Sequence, residues 1–262
     1  MYNRGMCGAG SSGPPPAGES GGVFLPLFLL YCNCIVLLPA AAGTGRMAYI
    51  MADIFDTFKR IEEKRTAASA APITHLVVGL GNPGREYART RHNTGFLCMD
   101  EVCRHWNAVT DRAKFRALVG EAVIAGSRCL LMRPQTLMNA SGLAVAEAAR
   151  FYRIDPSRII VISDDINLPV GGMRVRAHGS DGGQRGIRSI IAELGTDQFP
   201  RIRIGVGSKP HPDYDLAAWV LSDFTDAELS VLSELFPIAC RGIECLVTGD
   251  ADRAMQICNR KG

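Results

Sequence analysis

Residues 73 to 95 constrain the fold more than any other stretch of this 262-residue chain. Ile73 to Leu80 is a short, nearly unbroken apolar run bounded by glycines, the pattern of a strand buried on both faces at the centre of an α/β sheet. Gly81 to Asn93 then concentrates an amide (Asn82), a phenol (Tyr87), arginines and an imidazole (His92), more hydrogen-bonding chemistry than a structural turn needs. Behind this loop Phe96, Met99, Val102, Cys103 and Trp106 recur at helical spacing, which predicts a helix capped by Asn93. The unit reads as a buried strand, an active-site loop and an amphipathic helix.

The glycines invite one alternative. Gly79, Gly81 and Gly84 satisfy G-x-G-x-x-G after a strand, with Asp100 and Glu101 further on, as in a dinucleotide-binding unit. Pro83 argues against it, because proline has no N–H to offer a pyrophosphate just where one is needed. Asp100 and Glu101 also fall inside the helical pattern instead of ending a second strand. No nucleotide cofactor is expected.

The rest of the chain alternates strands with helices. Ala117 to Ala125 and Cys129 to Met132 read as a hairpin turning at Gly126-Ser127, and Asn139 or Ser141 opens a helix that Pro156 ends. Ile159 to Ile162 is a second apolar strand, stopped by Asp164-Asp165. Val170 to Ala177 alternates Met173 and Val175 with Arg174 and Arg176, as an exposed or edge strand does. Gly179 to Gly183 leads into a helix over Gln184 to Leu194, and Ile202 to Val206 is another strand. Thr225-Asp-Ala-Glu228 is a capping box before a helix that Pro237 is expected to kink, and Asp250 begins a last short helix. The expected fold is one α/β globular domain, a mixed twisted sheet flanked by helices.

Ahead of that domain the composition changes. Residues 1–22 are rich in Gly, Ser and Pro, as in a disordered tail, and Val23 to Ala42 is charge-free and long enough to span a bilayer core. We read residues 1–50 as a non-core extension translated from too early a start, with Met51 or Met47 the real beginning. Membrane association is expected only if residues 23–42 are translated and used. Residues 51–72 read as a short amphipathic helix, with Asp53 as its cap, followed by a linker. The nine cysteines fit no zinc spacing and read as buried thiols of a reducing cytosol, so no metal site is expected.

The chemistry is best read from His92, in a loop that follows one apolar strand, and Asp164, directly after another. The chain has no nucleophile elbow and no Walker loop, so an imidazole oriented by a carboxylate suggests water activation. Asn82 and Asn139 could donate to a carbonyl oxygen that becomes an oxyanion. Such a set suits ester hydrolysis. His75, His105 and His211 read as structural, and His178 borders the glycine-rich loop.

Gly79-Leu-Gly-Asn-Pro-Gly84, Tyr87 and Thr90-Arg-His-Asn-Thr-Gly95 resemble the opening motif of bacterial-type peptidyl-tRNA hydrolases. Later motifs agree in order: Arg133 to Gly142, Asp164 to Pro169, Gly179 to Ile187 and Phe199 to Gly207. The resemblance implies a peptidyl-tRNA substrate, His92 as catalytic base with Asp164 as its partner, and Asn82, Tyr87, Met138 and Asn139 at the peptide and reaction site. It also implies tRNA phosphate contacts at Arg176 and Arg203, no cofactor, and a monomer working in the cytoplasm.

One departure stands out. The family's Gly-Gly-His-Asn-Gly is here Gly182-Gly-Gln-Arg-Gly186, so Arg185 replaces a substrate-contacting asparagine and Gln184 its histidine neighbour. Arginine donates but cannot accept, so Arg185 is a substrate-binding candidate of altered chemistry. Net charge is only +3, but Arg174, Arg176, Arg185, Arg188, Arg201, Arg203 and Lys209 cluster, a pattern that suits a solvated strand face equally well; what the resemblance implies for Arg176 and Arg203 tips the reading towards a contact with the tRNA backbone. A non-enzymatic RNA-binding relative of the same fold is the alternative.

Overall fold

The computed structural model describes residues 71–261; the N-terminal extension, its apolar run and the helix expected after Met51 lie outside them. Four strands form a parallel centre: β1 (His75–Gly79), β4 (Ser127–Pro134), β5 (Ile159–Asp165) and β7 (Arg201–Gly205). Antiparallel strands extend it on both sides. β3 (Ala117–Ile124) and β2 (Arg112–Lys114) follow outward from β4, while β6 (Gly172–Arg176) and the short β8 (Arg260–Lys261) follow from β7. The order of this single mixed sheet is β2-β3-β4-β1-β5-β7-β6-β8.

Helices cover both faces. Helices α1 (Thr94–His105), α5 (Asp226–Val247) and α6 (Ala251–Cys258) pack on one, against Val77, Leu131, Ile160 and Ile202. On the other, α2 (Ser141–Tyr152) and α3 (Arg185–Leu194) cover Leu76, Val78, Leu130 and Val161. Successive β1 residues therefore feed opposite cores, which is why its sequence is apolar throughout. A short helix, α4 (Leu216–Val220), stands outside these layers.

The glycines of the opening motif serve packing. A Cβ on Gly95 would lie 2.4 Å from the backbone N and O of Leu80, and one on Gly79 would lie 2.4 Å from the Gly95 carbonyl oxygen. Only bare backbone lets α1 approach the end of β1 this closely. Asp100 and Glu101 sit within α1, where they pair with Arg133 and Arg104, so the second strand that a dinucleotide unit requires there is absent.

Several local expectations shift. The hairpin turns at Ala125-Gly126, both with positive φ (46° and 80°), the two-residue turn whose twist suits paired strands. Asn93 does not cap α1 with its side chain, because that amide is committed to Asn82. Helix α2 starts at Ser141 after a 3-10 turn over Met138–Ala140, and it ends before Pro156, at Arg153 with φ 54°. β6 is not the edge strand, since β8 pairs with its outer side, yet Met173 and Val175 are buried while Arg176 is exposed. The Thr225 capping box forms, and α5 runs through Pro237 as one assigned helix.

Candidate active site

Ligand sites in open α/β sheets lie beyond the carboxyl ends of the parallel strands, and here a cleft of about 450 Å3 opens there. The β1 loop brings Asn82, Tyr87 and His92, the β4 loop Met138 and Asn139, and β5 delivers Asp164 from its end. Arg185 enters from the first turn of α3, and Arg203 from β7. Every expected site residue but one therefore meets in a single cleft. Arg176 does not line it; it is exposed on β6 and donates to the Val175 carbonyl oxygen.

His92 Nδ1 lies 2.9 Å from Asp164 Oδ2, with both residues buried. A carboxylate accepts, so Nδ1 carries the proton and Nε2 is left as the basic nitrogen. The adjacent acid has a different job: Asp165 Oδ2 pairs with Arg203 at 2.9 Å, and its Oδ1 accepts from Asn167. Of two neighbouring carboxylates, one orients the imidazole and the other is spent on structure.

Asn82 is held on three sides. Its N–H donates to Asn93 Oδ1 at 2.8 Å, its carbonyl accepts from Asn93 Nδ2 at 2.9 Å, and its side-chain Oδ1 accepts from the Met138 N–H at 2.8 Å. The last bond fixes which way the amide points. Its Nδ2 has no protein acceptor among the described residues, which leaves a fixed donor in the cleft. Asn139 is exposed and lines the same cleft.

The glycine-rich loop is tied down from beneath by Arg201. This buried guanidinium donates to the carbonyl oxygens of Gly179, Ser180, Asp197 and Phe199. Burial lowers its pKa; the Asp197 charge opposes the shift, and the nearby Arg203 charge adds to it more weakly. The expected basic cluster thus loses a member to scaffolding, and Arg188 is paired with Asp181. In register, Arg174 lies opposite Arg203 and Arg176 opposite Arg201, so these four share one face of the β6–β7 pair.

Arg91, next to the candidate base, was not singled out by the sequence. It is buried, donates both terminal nitrogens to Glu228, donates to the Val206 carbonyl, and stacks 3.9 Å from the Trp219 ring centroid. The Glu228 carboxyl sits below its ordinary range: burial raises it, but hydrogen bonds from the Arg91 guanidinium and Thr225 outweigh that. Through Trp219 the same arginine steadies α4, whose Leu216 and Val220 line the cleft. Spacing gave no cue to this, because the partners are far apart in sequence.

His178 lies outside the cleft, in a second cavity with His75 and Arg158. Elsewhere, ligand atoms of Glu101, His105 and Cys240 lie within 4.8 Å of one another. Glu101 is already bonded to Arg104, and burial, followed by Glu101 and Glu244, pushes the Cys240 thiol up to about 12, so this trio is not a ready set of ionised ligands. Cys98, Cys103, Cys129 and Cys240 are buried thiols.

An imidazole with its basic nitrogen free, beside a fixed amide donor at the rim of an α/β sheet, is the equipment of a hydrolase that activates water. Among such enzymes the chain's relatives are specific. The family model described as peptidyl-tRNA hydrolase matches residues 76–262. A peptidyl-tRNA hydrolase of Caldicellulosiruptor bescii is 48% identical over 185 residues, covering 71% of this chain and 96% of that protein. One of Lachnospira eligens is 46% identical over 181 residues, covering 69% and 97%. The crystal structure of peptidyl-tRNA hydrolase from Acinetobacter baumannii superposes with a TM-score of 0.67 at 32% identity, covering 73% of this chain and 98% of that one. This chain belongs to the peptidyl-tRNA hydrolase family.

Proposed function

We propose that the cleft hydrolyses the ester joining a peptide to the terminal ribose of tRNA, releasing both for reuse. The observation that carries this reading is the 2.9 Å contact between His92 Nδ1 and Asp164 Oδ2, which engages one ring nitrogen and leaves Nε2 as the base in a residue that lines the cleft. His92 takes a proton from water as its oxygen adds to the ester carbonyl carbon. Asp164 stays ionised and holds the imidazolium. Asn82 Nδ2, joined by Asn139, donates to the carbonyl oxygen as it becomes an oxyanion. Collapse of the tetrahedral species breaks the bond to the ribose oxygen, which leaves with the proton from His92.

Binding follows the same lining. Tyr87 and Met138 flank the peptide, Arg185 donates to a carbonyl or phosphate oxygen, and Arg203 and Arg176 meet the RNA backbone. Recognition of a peptide bond in place of a free amino group would spare aminoacyl-tRNA. The reading requires no metal or nucleotide, and takes the enzyme as a monomer of the cytoplasm. Among the described residues no helix is long and apolar enough to cross a membrane.

The test is tRNA release by the full chain from N-acetylated and from unblocked aminoacyl-tRNA. Release from the blocked substrate alone is expected. No release from either, with salt-sensitive tRNA binding intact, would place the chain among RNA-binding relatives that lack the activity.

A further inference from the structure

Asp164 is 4% exposed, and among the described residues no lysine or arginine pairs with it; the nearby Arg203 is paired with Asp165 instead. Its two oxygens have separate side-chain partners. His92 Nδ1 serves Oδ2, and Gln184 Nε2 donates to Oδ1 at 3.0 Å. The other end of the same carboxamide is also occupied: Gln184 Oε1 accepts from the Ile187 N–H at 2.7 Å and so caps α3. One side chain therefore links the carboxylate at the end of β5 to the first turn of the helix that carries Arg185.

We propose that Gln184 is a positioning residue for the reaction, holding the Asp164 carboxylate in the one orientation that keeps His92 Nε2 directed at the substrate. A buried carboxylate with one oxygen bonded and the other bare can turn about its own axis, and the ring it orients would turn with it. A donor on the second oxygen removes that freedom. Glutamine does this without a charge that would compete with the imidazolium for Asp164. Its double engagement also fixes the amide orientation, because the oxygen is committed to Ile187 and only the nitrogen can face Asp164. This role rests on the reading of His92 as the base.

The two functions of Gln184 can be separated. Gln184→Ser keeps a capping oxygen for α3 but is too short to reach Asp164. Gln184→Glu keeps the length and the cap, and replaces the donor with a second carboxylate. Hydrolysis of N-acetylated aminoacyl-tRNA by the full chain and both variants, with KM, kcat and Tm measured, tests the role. In both, kcat is expected to fall about 10- to 100-fold, the loss of a hydrogen bond to a charged group, with KM and Tm close to the parent's. Gln184→His, whose ring can donate again, is expected to recover part of kcat. Loss of Tm in step with kcat, or a change confined to KM, would overturn the positioning role, as would kcat unchanged in both variants. A parent that does not turn over would overturn the hydrolase reading and this role with it, whereas an active parent with active variants would remove only Gln184.

Discussion

The main chain of Asn82 and the side chain of Asn93 form a closed pair of hydrogen bonds, 2.8 and 2.9 Å long, between two buried residues. The pair joins the start of the β1 loop to its end and so sets Asn82 and His92 at a fixed separation. Asn93→Ala would leave a buried N–H and a buried C=O of Asn82 without partners, at a cost of about 2–4 kcal/mol. Urea unfolding should show that loss, and kcat should fall with it because Asn82 no longer holds its place.

Arg91 and Glu228 form the other brace. Their bonds of 2.8 and 3.1 Å, with the guanidinium stacked on Trp219, need a planar fork. Arg91→Lys keeps the charge and loses the fork and the stacking. A destabilisation of about 2 kcal/mol is expected, together with faster proteolysis around α4. Denaturant midpoints and limited proteolysis of the two proteins check both.

Two arginines on β7 should behave differently although they are two residues apart. Arg203, at the cleft, is expected to contact RNA, so Arg203→Ala should raise KM and lower the salt slope of tRNA binding by about one. Arg201 is committed to loop carbonyls. Arg201→Ala should lower Tm and kcat and leave the salt slope unchanged.

His75 makes stability depend on pH. Burial, followed by the Arg158 charge, lowers its pKa from the ordinary 6.5. The unfolded chain therefore takes up a proton at higher pH than the folded one. The stability from a neutral His75 is complete above about 6.5 and is lost as pH falls through the folded value. The carboxylates with resolved shifts are all lowered from their ordinary values by hydrogen bonds to neighbouring groups, away from the range of pH 7.5 to 5. Tm measured from pH 7.5 to 5 should decline, and His75→Gln should flatten the decline.

The architecture was legible where period and glycine spoke for themselves. The unbroken apolar run of β1 announced a strand buried on both faces, and Asp164 after a second such run placed a carboxylate at the same edge of the sheet. Side-chain commitments were not legible. Asn93 precedes a helix and so looked like its cap, but its amide serves Asn82 across the loop. In sequence Arg201 is one more basic residue of a patch, whereas in the fold its guanidinium is committed to four carbonyl oxygens. Gln184 read only as a departure from the family pattern, since no spacing shows that its amide reaches Asp164. In each case at least one partner lies in a different loop or element, and periodicity does not encode such pairing.

The central claim is that His92, oriented by Asp164, is the base. Single-turnover hydrolysis of N-acetylated aminoacyl-tRNA by the full chain and by His92→Ala, with tRNA affinity measured alongside, tests it most directly. The account predicts a rate lower by about 10²- to 10⁴-fold with tRNA affinity retained. A variant that hydrolyses within a few-fold of the parent would contradict it.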